Sequence, residues 1–349
     1  MGATGAAGQN VVESLVGHPW FEIECLAASK RSEGKAYRDA IEGAVFFERA
    51  PGSDVLGMEV SSVDGVDPRG YDLAFSALPS SVAKGVEARF AEKLPVFSTA
   101  SAYRYEDDVP VLIPDVNPDH IGLIDAQRRG RGWEGYIVPG PNCTTVGLAM
   151  TLKPLQDAFG VRSVRMVSMQ ALSGAGEKGL RGDSPYRRKV EMNVYPYIEG
   201  EEGKVVMETN KILGRLVDGR IVSAGIDIHA TCTRVYVETV HTEVVDVVTE
   251  SAATVDEVRR ALVDFTSEPQ RLGLPSAPER PILVLDDFDM PQPRRHREQG
   301  FMVTVVGRLR RSTLNENGFT YILTSDNLEK GAGAGAVQTA EFLKVKGYM

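Results

Sequence analysis

The sequence has few cysteines, no long apolar run and no excess of basic residues. Its three cysteines, Cys25, Cys143 and Cys232, are widely spaced among 349 residues, which excludes a disulfide framework and a Cys-x-x-Cys metal site and favours a cytoplasmic location. No apolar stretch reaches the length of a bilayer span and no signal-peptide pattern is found, so we expect no membrane association. The net charge of −9 argues against nucleic acid as a partner. Anionic ligands must therefore be held by locally placed cations.

The composition is that of a globular α/β protein, with 42% apolar and 25% charged residues, and the length suits roughly two domains. Up to residue 142, short β-rich runs alternate with helical stretches, which predicts a parallel sheet covered by helices, as in Rossmann-like dinucleotide-binding domains. After residue 142, long β-branched stretches predict an α+β domain for catalysis and dimerisation. The predicted strands are 21–28, 72–76, 95–98, 135–139, 161–170, 221–228, 233–248, 282–285 and 302–310, and the predicted helices are 9–16, 81–92, 144–159, 204–215, 255–266 and 331–346. A small-residue helix near the end of the sequence is expected to return to the first domain. The predicted domains are therefore 1–142 plus 327–349, and 143–326.

A glycine-rich segment, Gly2-Ala-Thr4-Gly5-Ala6-Ala7-Gly8, stands directly before a predicted helix. Glycines at this spacing let the backbone approach a pyrophosphate, whose charge the helix N-terminus stabilises. The alternative is a turn that serves packing alone. Such turns normally follow a buried strand, and only Met1 precedes this one. We therefore expect a gap in the parallel sheet where its first strand would lie, and weaker cofactor binding as a consequence.

The strand that follows this helix ends in Ser29-Lys30-Arg31-Ser32. An acidic residue at this place would bind a ribose 2′-hydroxyl, whereas two hydroxyls and two cations suit a 2′-phosphate. The segment therefore favours NADP over NAD. The alternative is a solvated basic turn.

Cys143 lies at the start of a predicted helix, in Pro139-Gly-Pro-Asn142-Cys143-Thr144-Thr145. The positive end of the helix macrodipole is expected to lower the pKa of its thiol and to populate the thiolate, as a nucleophile requires. The Asn142 side chain and the amides at the helix end could donate to an oxyanion. The alternative is a buried structural cysteine, which is the interpretation that we adopt for Cys25 and Cys232.

A thiolate that attacks an aldehyde needs a partner for the hydroxyl proton of the thiohemiacetal. The five histidines are His18, His120, His229, His241 and His296. His241 and Arg234 bracket a strand-like stretch within residues 233–248. Their offset of seven would place them on opposite faces of a regular strand, so a bend or the reach of the arginine is needed to bring both into one site.

With these pieces assembled, the sequence resembles aspartate-semialdehyde dehydrogenases, and more closely their archaeal and fungal branch. The motifs that carry the resemblance over nearly the whole chain are Gly2-Ala-Thr-Gly5-Ala-Ala-Gly8, Ser76-Ala-Leu-Pro-Ser80, Ser101-Ala-Tyr-Arg104, Pro114-Asp-Val-Asn-Pro-Asp-His120, Pro141-Asn-Cys-Thr-Thr145, Gln170-Ala-Leu-Ser-Gly-Ala-Gly176, Glu208-Thr-Asn-Lys211, Arg234 through His241, and Pro291-Gln-Pro293. The resemblance implies that Cys143 is the nucleophile, that His241 is the acid/base and that Gln170 orients the substrate.

The resemblance also implies a set of binding residues. Arg234 would bind the amino-acid carboxylate and Glu208 would assist at the amino group, with Asn142 nearby. Arg104 and Lys211 match positions that hold the acyl phosphate or free phosphate. A planar guanidinium suits a carboxylate and a flexible ammonium suits phosphate. The implied cofactor contacts are Gly2, Thr4, Gly5, Ala6, Ala7, Ser29, Lys30, Arg31, Ser32, Ser76, Ser173, Gly174 and Asn327.

The reaction implied is the reversible, NADP-dependent reductive dephosphorylation of L-aspartyl 4-phosphate to L-aspartate 4-semialdehyde, which supplies lysine, threonine and methionine synthesis. The nearest alternative is an acyl-CoA reductase of the same superfamily, such as a malonyl-CoA reductase, and N-acetylglutamyl-phosphate reductase is a weaker one. A nucleotide-binding homologue that has lost activity is the alternative from another class. The resemblance favours a homodimer or homotetramer built through sheet faces.

Overall fold

Short parallel strands alternate with helices in the first part of the chain, in a computed structural model that describes residues 1–349. Its strands are β1 (Leu26–Ala28), β2 (Val60–Ser62), β3 (Ala74–Ser76), β4 (Pro95–Ser98) and β5 (Tyr136–Pro139). Its helices are α1 (Ala6–Leu15), α2 (Tyr37–Ala40), α3 (Ser53–Gly57), α4 (Ser80–Ala91) and α5 (Leu123–Arg131). The pairings between these strands are parallel, as the alternation of strands and helices predicts.

The parallel sheet of this part is interrupted. β1 and β2 form one pair, and β3, β4 and β5 form a separate sheet. Residues 1–3 run between them, because the Ala3 N–H donates to the Ala27 carbonyl at 3.1 Å, the Ala77 N–H donates to the Met1 carbonyl at 2.9 Å, and the Met1 amino group donates to the Phe75 carbonyl at 2.7 Å. A cavity of about 800 Å³ with mostly hydrophobic lining lies along this gap. The gap predicted in the sheet is therefore present.

The second part is built on a large mixed sheet. Its strands are β6 (Val161–Gln170), β7 (Val194–Tyr195), β8 (Arg215–Val217), β9 (Arg220–Val222), β10 (Asp227–Val235), β11 (His241–Thr249), β12 (Ile282–Leu285), β13 (Thr304–Arg311) and β14 (Gly318–Ser325). Its helices are α6 (Cys143–Phe159), α7 (Glu177–Leu180), α8 (Pro185–Val190), α9 (Glu201–Ile212), α10 (Val255–Val263) and α11 (Glu268–Arg271), and α12 (Gly333–Val345) ends the chain. The 3-10 helices are Lys30–Ser32, Val63–Gly65, Pro68–Gly70, Pro118–Gly122, Leu172–Ala175 and Pro293–Gln299.

Seven strands form the main sheet in the order β12-β13-β14-β11-β6-β10-β7, while β8 and β9 pair separately. Buried and exposed residues alternate along most of β6, which is the period of a sheet with one covered face. Helices α6, α9 and α10 pack against the strands. The core between them contains Leu148, Met166, Val245 and Phe319. The predicted fold class, a parallel-sheet dinucleotide-binding part followed by an α+β part, is confirmed. No helix of the structure has both the length and the apolar character needed to cross a membrane.

Two details of the strand prediction are wrong. β14 is not among the predicted strands, although it lies near the centre of the main sheet. The stretch 233–248 is not one strand, because the chain leaves β10 after Val235 and re-enters the sheet at His241 as β11. Val240 has a φ of 73° in the intervening turn. Because β6 lies between β10 and β11, the two strands are not even neighbours.

Helix α12 returns to the first part of the chain and packs against α1. Just before it, Lys330 forms a buried ion pair with Asp115 and donates to the Gln338 side chain at 2.9 Å. Asp115 also accepts a hydrogen bond from Ser267 at 2.7 Å. Lys330 and Asp115 are 4% and 2% exposed, so water does not screen the attraction between their charges. Together with Ser267, the pair joins three stretches that are distant in the sequence. The proposed division of the chain into domains stays a prediction.

We expect Lys330→Met to lower the free energy of unfolding by about 3–5 kcal/mol, because it leaves the Asp115 charge buried without a counter-ion. Urea titration followed by circular dichroism measures the loss. The control is Lys346→Met, since Lys346 pairs with Glu268 where both side chains are about one-third exposed, and an exposed pair is worth about 1 kcal/mol or less. Equal losses in the two variants would contradict the role given to the buried pair.

Candidate active site

Three adjacent strands bring Arg234, Gln170 and His241 to one edge of the main sheet. Arg234 is paired with Gln170 in the parallel register of β10 and β6. Thr242 is paired with Met169 in the antiparallel register of β11 and β6. The end of β6, the end of β10 and the beginning of β11 therefore meet. The insertion of β6 between the other two strands brings Arg234 and His241 together, and no bend within a single strand is involved.

Cys143 is the first residue of α6, and its sulfur faces this edge. The Sγ atom lies 3.3 Å from Nε2 of His241. Asn142 caps the helix, because its Oδ1 accepts hydrogen bonds from the backbone N–H groups of Thr144 at 2.9 Å and Thr145 at 3.4 Å. The cap fixes the first turn of α6 and, with it, the direction of the Cys143 side chain.

The peptide groups around Ala171 hold both His241 and Arg234. The Ala171 N–H donates to Nδ1 of His241 at 3.1 Å, and the Ala171 carbonyl accepts from Nη1 of Arg234 at 2.6 Å. Since Nδ1 accepts a hydrogen bond, the neutral imidazole carries its proton on Nε2, towards the sulfur. Burial and the charge of Arg234 hold the pKa of His241 well below its usual value. The imidazole is therefore neutral and presents an N–H to Cys143.

Two buried carboxylates organise the other side of the cleft. Glu208 accepts from Nη1 of Arg104 at 3.2 Å, from the Tyr105 hydroxyl at 3.0 Å and from the backbone N–H of Asn142 at 2.5 Å. Glu201 accepts from the side-chain amide of Asn142 at 2.8 Å. Both atoms of the Asn142 amide are thus engaged by protein groups, and in this arrangement the amide caps the helix instead of facing an oxyanion.

The two predicted phosphate-binding cations are held by main-chain carbonyls. Arg104 donates to the carbonyls of Gly140 at 2.8 Å and Thr99 at 2.9 Å. The ammonium of Lys211 donates to the carbonyls of Arg104 and Glu106 at 2.9 and 2.8 Å. Burial lowers the pKa of Lys211 to about 8. Both cations therefore lie beside the cleft with their heads in fixed positions.

Two glycines pack directly on Cys143, His241 and Arg234. A Cβ at Gly174 would lie 2.4 Å from Nη1 of Arg234 and 2.9 Å from Cε1 of His241. A Cβ at Gly331 would lie 2.9 Å from Cβ of Cys143. All three distances are shorter than a carbon side chain tolerates, so these positions exclude any larger residue. Gly174 was predicted from the resemblance as a cofactor contact, and the structure places it against Arg234 and His241.

The glycine-rich segment forms a tight turn before α1. Gly2 has a φ of 76°, and a Cβ at Gly8 would lie 2.0 Å from the Gly2 carbonyl oxygen, so the turn and the helix pack without room for side chains. Gly5 is the N-cap of α1 and makes no side-chain cap. The first amides of α1, around Ala6 and Ala7, are therefore free of side-chain acceptors, and Thr4 beside them is partly exposed.

The other predicted cofactor residues fall into three groups. Ser29, Lys30 and Arg31 are exposed after β1, and Ser32 next to them is buried; the two cations form no ion pair. Ser76 at the end of β3 is buried.

The Ser76 hydroxyl donates to Glu87 at 2.6 Å and is thereby occupied within the protein.

Ser173 and Asn327 are buried and hydrogen-bonded to each other, with the Asn327 amide donating to the Ser173 hydroxyl at 2.9 Å. Asn327 also accepts from the Val240 N–H at 3.0 Å. This pair fastens the turn that delivers His241, and any contact it makes with a cofactor stays a prediction.

Comparison with known proteins places this arrangement in a family. Residues 1–124 match the semialdehyde dehydrogenase NAD binding domain, and residues 152–330 match the semialdehyde dehydrogenase dimerisation domain. The chain is 42% identical to the aspartate-semialdehyde dehydrogenase of Methanothermobacter thermautotrophicus, over 98% of this chain and 97% of that protein. It is also 42% identical to that of Archaeoglobus fulgidus, over 98% of this chain and 96% of that protein. The chain belongs to the aspartate-semialdehyde dehydrogenase family.

Among solved structures, the aspartate-semialdehyde dehydrogenase of Candida albicans with NADP superposes with a TM-score of 0.89 at 34% identity, over 100% of this chain and 98% of that chain. The resemblance to the archaeal and fungal branch of the aspartate-semialdehyde dehydrogenase family is thereby confirmed. Membership of this family makes the chain an oxidoreductase of the semialdehyde dehydrogenase type.

In this member of the aspartate-semialdehyde dehydrogenase family, the thiol of Cys143 does not have the lowered pKa that its helix position predicts. Burial, together with a smaller contribution from the charge of Glu201, raises its pKa to about 12, and Arg234 and Arg104 act in the opposite direction. The helix end still contributes through the Thr144 amide. The expectation based on the macrodipole is wrong in sign because a sulfur in the interior loses more hydration than one helix terminus replaces.

A further buried carboxyl group lies near Cys143 and His241. Glu243 is two residues after His241 on β11 and fully buried, and neither of its oxygens has a hydrogen-bond partner in the protein. A Cβ at Gly147, one turn after Cys143 in α6, would lie 3.4 Å from Oε1 of Glu243. Burial holds the pKa of Glu243 well above its usual value, which favours the protonated form of this side chain.

We expect the free energy of unfolding of Glu243→Gln, measured relative to that of the parent protein, to increase as the pH rises from 5 to 8. The parent carboxyl stays protonated when folded but ionises when unfolded, so the folded state binds more protons and its stability falls over this range. Glutamine removes that loss. Thermal unfolding at both pH values measures the difference, with Glu316→Gln at an exposed turn as the control for loss of a surface carboxyl. A difference between Glu243→Gln and the parent that is the same at pH 5 and pH 8 would show that Glu243 is ionised in the folded state.

Proposed function

We propose that this protein catalyses the reversible, NADP-dependent reductive dephosphorylation of L-aspartyl 4-phosphate to L-aspartate 4-semialdehyde, for lysine, threonine and methionine synthesis. The observation that carries the proposal is the 3.3 Å contact between Cys143 Sγ and His241 Nε2, at the edge where Arg234 and Gln170 also end their strands. Nucleophile, proton-bearing imidazole, guanidinium and amide are the groups that acyl transfer from an amino-acid acyl phosphate requires.

The charges around the cleft support an amino-acid substrate. Arg234 donates through Nη1 to a backbone carbonyl and through Nε to the Tyr186 hydroxyl at 3.3 Å, which leaves Nη2 for the substrate carboxylate. Glu208 supplies a buried negative charge for the substrate amino group. Arg104 and Lys211 would exchange carbonyl partners for phosphate oxygens, and such charge-assisted bonds are stronger than those to neutral carbonyls.

The chemistry follows from these positions. Cys143 attacks the acyl carbon as its thiolate, the bond from that carbon to the phosphate oxygen breaks, and the departing phosphate takes up the proton that the thiol has lost as a thioester forms on sulfur. NADPH, when bound, supplies the hydride that reduces this thioester. His241 holds its proton at Nε2, where it stabilises the thiolate and then the oxygen of the tetrahedral adduct. Collapse of that adduct releases the aldehyde and regenerates the thiolate.

The residues at the amino end of α1 fit a dinucleotide. The close packing of Gly2 and Gly8 leaves the backbone open to a ligand, and the uncapped N-terminus of α1 suits a pyrophosphate. The exposed cations Lys30 and Arg31 would hold a 2′-phosphate, which supports NADP over NAD. NADP is also the ligand of the similar Candida albicans structure.

The face of the main sheet that α6, α9 and α10 leave uncovered supports self-association as a dimer or tetramer. Val167, Val244 and Ile322 lie in one row across β6, β11 and β14, and Val167 is 38% exposed. An apolar row on an open sheet face suits a second copy of the same face. The matched dimerisation domain covers this region. A cytoplasmic location is supported by the three cysteines, all of which are free thiols.

We expect Cys143→Ala to lower the rate of NADPH formation by about 10³-fold or more, because no other group can form the thioester. The assay contains aspartate semialdehyde, NADP and phosphate. NADPH affinity, measured by fluorescence titration, should stay within about twofold, since the sulfur contributes no charge when protonated. Substantial residual turnover in the variant would contradict the assignment of Cys143 as the nucleophile.

The same assay with coenzyme A in place of phosphate separates the proposed reaction from that of an acyl-CoA reductase. Phosphate as the faster acceptor supports the proposal. A faster reaction with coenzyme A would instead favour the acyl-CoA reductase. No turnover with either acceptor would favour a nucleotide-binding homologue without activity.

We expect the double variant Lys30→Ser, Arg31→Ser to weaken NADPH binding by about 10- to 100-fold, as the loss of one or two charge-assisted hydrogen bonds implies. NADH binding should change by less than about threefold, because NADH has no 2′-phosphate. Isothermal titration calorimetry measures both affinities. Lys35→Ser, an exposed lysine in the same loop, is the matched control. An equal loss for both cofactors would show that the segment does not recognise the 2′-phosphate.

A further inference from the structure

A buried carboxyl group on α4 joins the ends of two strands in the sheet of β3, β4 and β5. Oε1 of Glu87 accepts hydrogen bonds from the hydroxyls of Ser76 and Ser98, both at 2.6 Å. Ser76 ends β3 and Ser98 ends β4, and the two residues are paired directly in the parallel register. Glu87 itself is fully buried. One oxygen atom therefore holds two neighbouring strands at their carboxyl ends, which is the edge where dinucleotides bind in parallel sheets.

The directions of these two hydrogen bonds are fixed by their surroundings. Oγ of Ser98 accepts from the Ala100 N–H at 3.0 Å, so its own hydrogen is free for Glu87. Because Oε1 accepts two bonds, any proton on the carboxyl group would lie on Oε2, which has no partner in the protein. Burial raises the pKa of Glu87, while the two hydroxyls, the guanidinium of Arg104 and the amino group of Met1 act in the opposite direction. Oε1 is the acceptor in either protonation state.

The two serines support the peptides that orient Arg104. Its guanidinium donates through Nη2 to the Thr99 carbonyl at 2.9 Å and through Nε to the Gly140 carbonyl at 2.8 Å. The Thr99 N–H in turn donates to the Ser76 carbonyl, and the Gly140 N–H donates to the Ser98 carbonyl, both at 2.8 Å. Both main-chain acceptors of the guanidinium are therefore bonded to residues that the buried carboxyl group holds.

The same edge of the sheet contacts the glycine-rich turn. The Ala77 N–H, directly after Ser76, donates to the Met1 carbonyl at 2.9 Å. A Cβ at Gly2 would lie 2.6 Å from the Ala77 carbonyl oxygen, so the turn packs on this peptide without space between them. A shift at the end of β3 would therefore displace the turn that precedes α1.

We propose that Glu87 is a positioning residue, which holds Arg104 and the glycine-rich turn in fixed positions relative to each other through the hydroxyls of Ser98 and Ser76. Arg104 is the cation proposed above for phosphate, and the turn is proposed for the pyrophosphate of NADP. The inference therefore rests on the proposed function for its kinetic consequence, because binding groups must be held to within about 0.5 Å to be effective. The orientation of Arg104 is a property of the protein alone.

Three substitutions separate the acceptor, its charge and its two partners. Glu87→Gln keeps an oxygen for both hydroxyls, whereas Glu87→Ala leaves both without an acceptor. Ser98→Ala removes only the link to the turn that orients Arg104. Glu92→Gln, at the exposed end of α4, is the matched control for loss of a carboxyl group from this helix. Circular dichroism and thermal unfolding verify that each variant is folded, and Ser98→Ala with Glu87→Gln keeps the test decisive if Glu87→Ala is not.

The first measurement needs no substrate. Phenylglyoxal modifies accessible guanidinium groups, and peptide mass spectrometry gives the rate at each arginine. We expect the rate at Arg104 to rise by about 3- to 10-fold in Glu87→Ala and in Ser98→Ala, the change in population that the loss of one hydrogen bond implies. Arg234 is the internal control, because it is also buried and is held by the Ala171 carbonyl on the main sheet. Its rate should change by less than about twofold, since distant sites respond independently.

The second measurement is kinetic. The KM for phosphate should rise by about 3- to 10-fold in Glu87→Ala and Ser98→Ala, with kcat within about threefold, because α6 and the main sheet hold Cys143 and His241. NADPH affinity, measured by isothermal titration calorimetry, should weaken more in Glu87→Ala than in Ser98→Ala, since only the former releases Ser76. Glu87→Gln and Glu92→Gln should stay within about twofold of the parent in all of these values.

The modification of Arg104 does not depend on which substrate the enzyme uses. If the parent protein fails to turn over aspartate semialdehyde, the proposed reaction falls while the modification rates still test Glu87. The inference itself is overturned if Arg104 in Ser98→Ala and in folded Glu87→Ala reacts at the rate of the parent, or if Arg234 accelerates as much as Arg104, which would indicate general loosening. It is also overturned if Glu87→Gln exposes Arg104 as much as Ser98→Ala does.

Discussion

The peptide groups of Ala171, at the end of β6, are the constraint on which the geometry of the proposed active site depends. The N–H fixes the tautomer of His241 and the carbonyl holds Arg234, so a proton donor and a guanidinium are placed by the same few backbone atoms. This is possible only because β6 lies between β10 and β11. A backbone peptide is also a reliable support, since its donor and acceptor are fixed by the sheet and need no side-chain rotamer to be ordered.

The electrostatics of the nucleophile are set by burial and not by the helix end. The Cys143 thiol lies between the cations Arg234 and Arg104 and the carboxylate Glu201, and the net result is a pKa raised to about 12. A neutral thiol beside a neutral imidazole is a resting state that reacts slowly with unintended electrophiles. A charged ligand that enters this volume would shift the ionisation of the sulfur, because nearby charges change a buried group's pKa. The scaffold thus holds geometry in advance and leaves the charge to be completed by ligands.

Sequence patterns predict the two-part architecture, six of the twelve α-helices and, to the residue, the strands β4, β6 and β12, because hydrophobic periodicity reflects burial directly. They miss β14 and merge β10 with part of β11, since the turn between them contains no glycine or proline to mark it and relies on Val240 with a positive φ. The meeting of Cys143 and His241 is expected only from the family resemblance. Glu201 and the raised pKa of Cys143 escape prediction for one reason: both depend on which groups exclude water together, and sequence spacing does not contain that information.

The gap between β1 and β3 and the edge of the main sheet that carries Arg234, Gln170 and His241 are held by different parts of the structure. The gap is spanned by residues 1–3 and lies beside the turn at Gly2, so a weakness there acts on the dinucleotide side. The site at that edge is held by the strands of the main sheet, by the Asn142 cap of α6 and by the buried ion pair of Lys330 and Asp115, just before α12. Gly331 packs on Cys143 and directly follows Lys330 in the chain. The ion pair of Lys330 with Asp115 therefore helps to fix this side of the Cys143 site. The contact of the Cys143 sulfur with His241 therefore belongs to α6 and the main sheet, whereas the contacts of residues 1–3 belong to the strands of the first part.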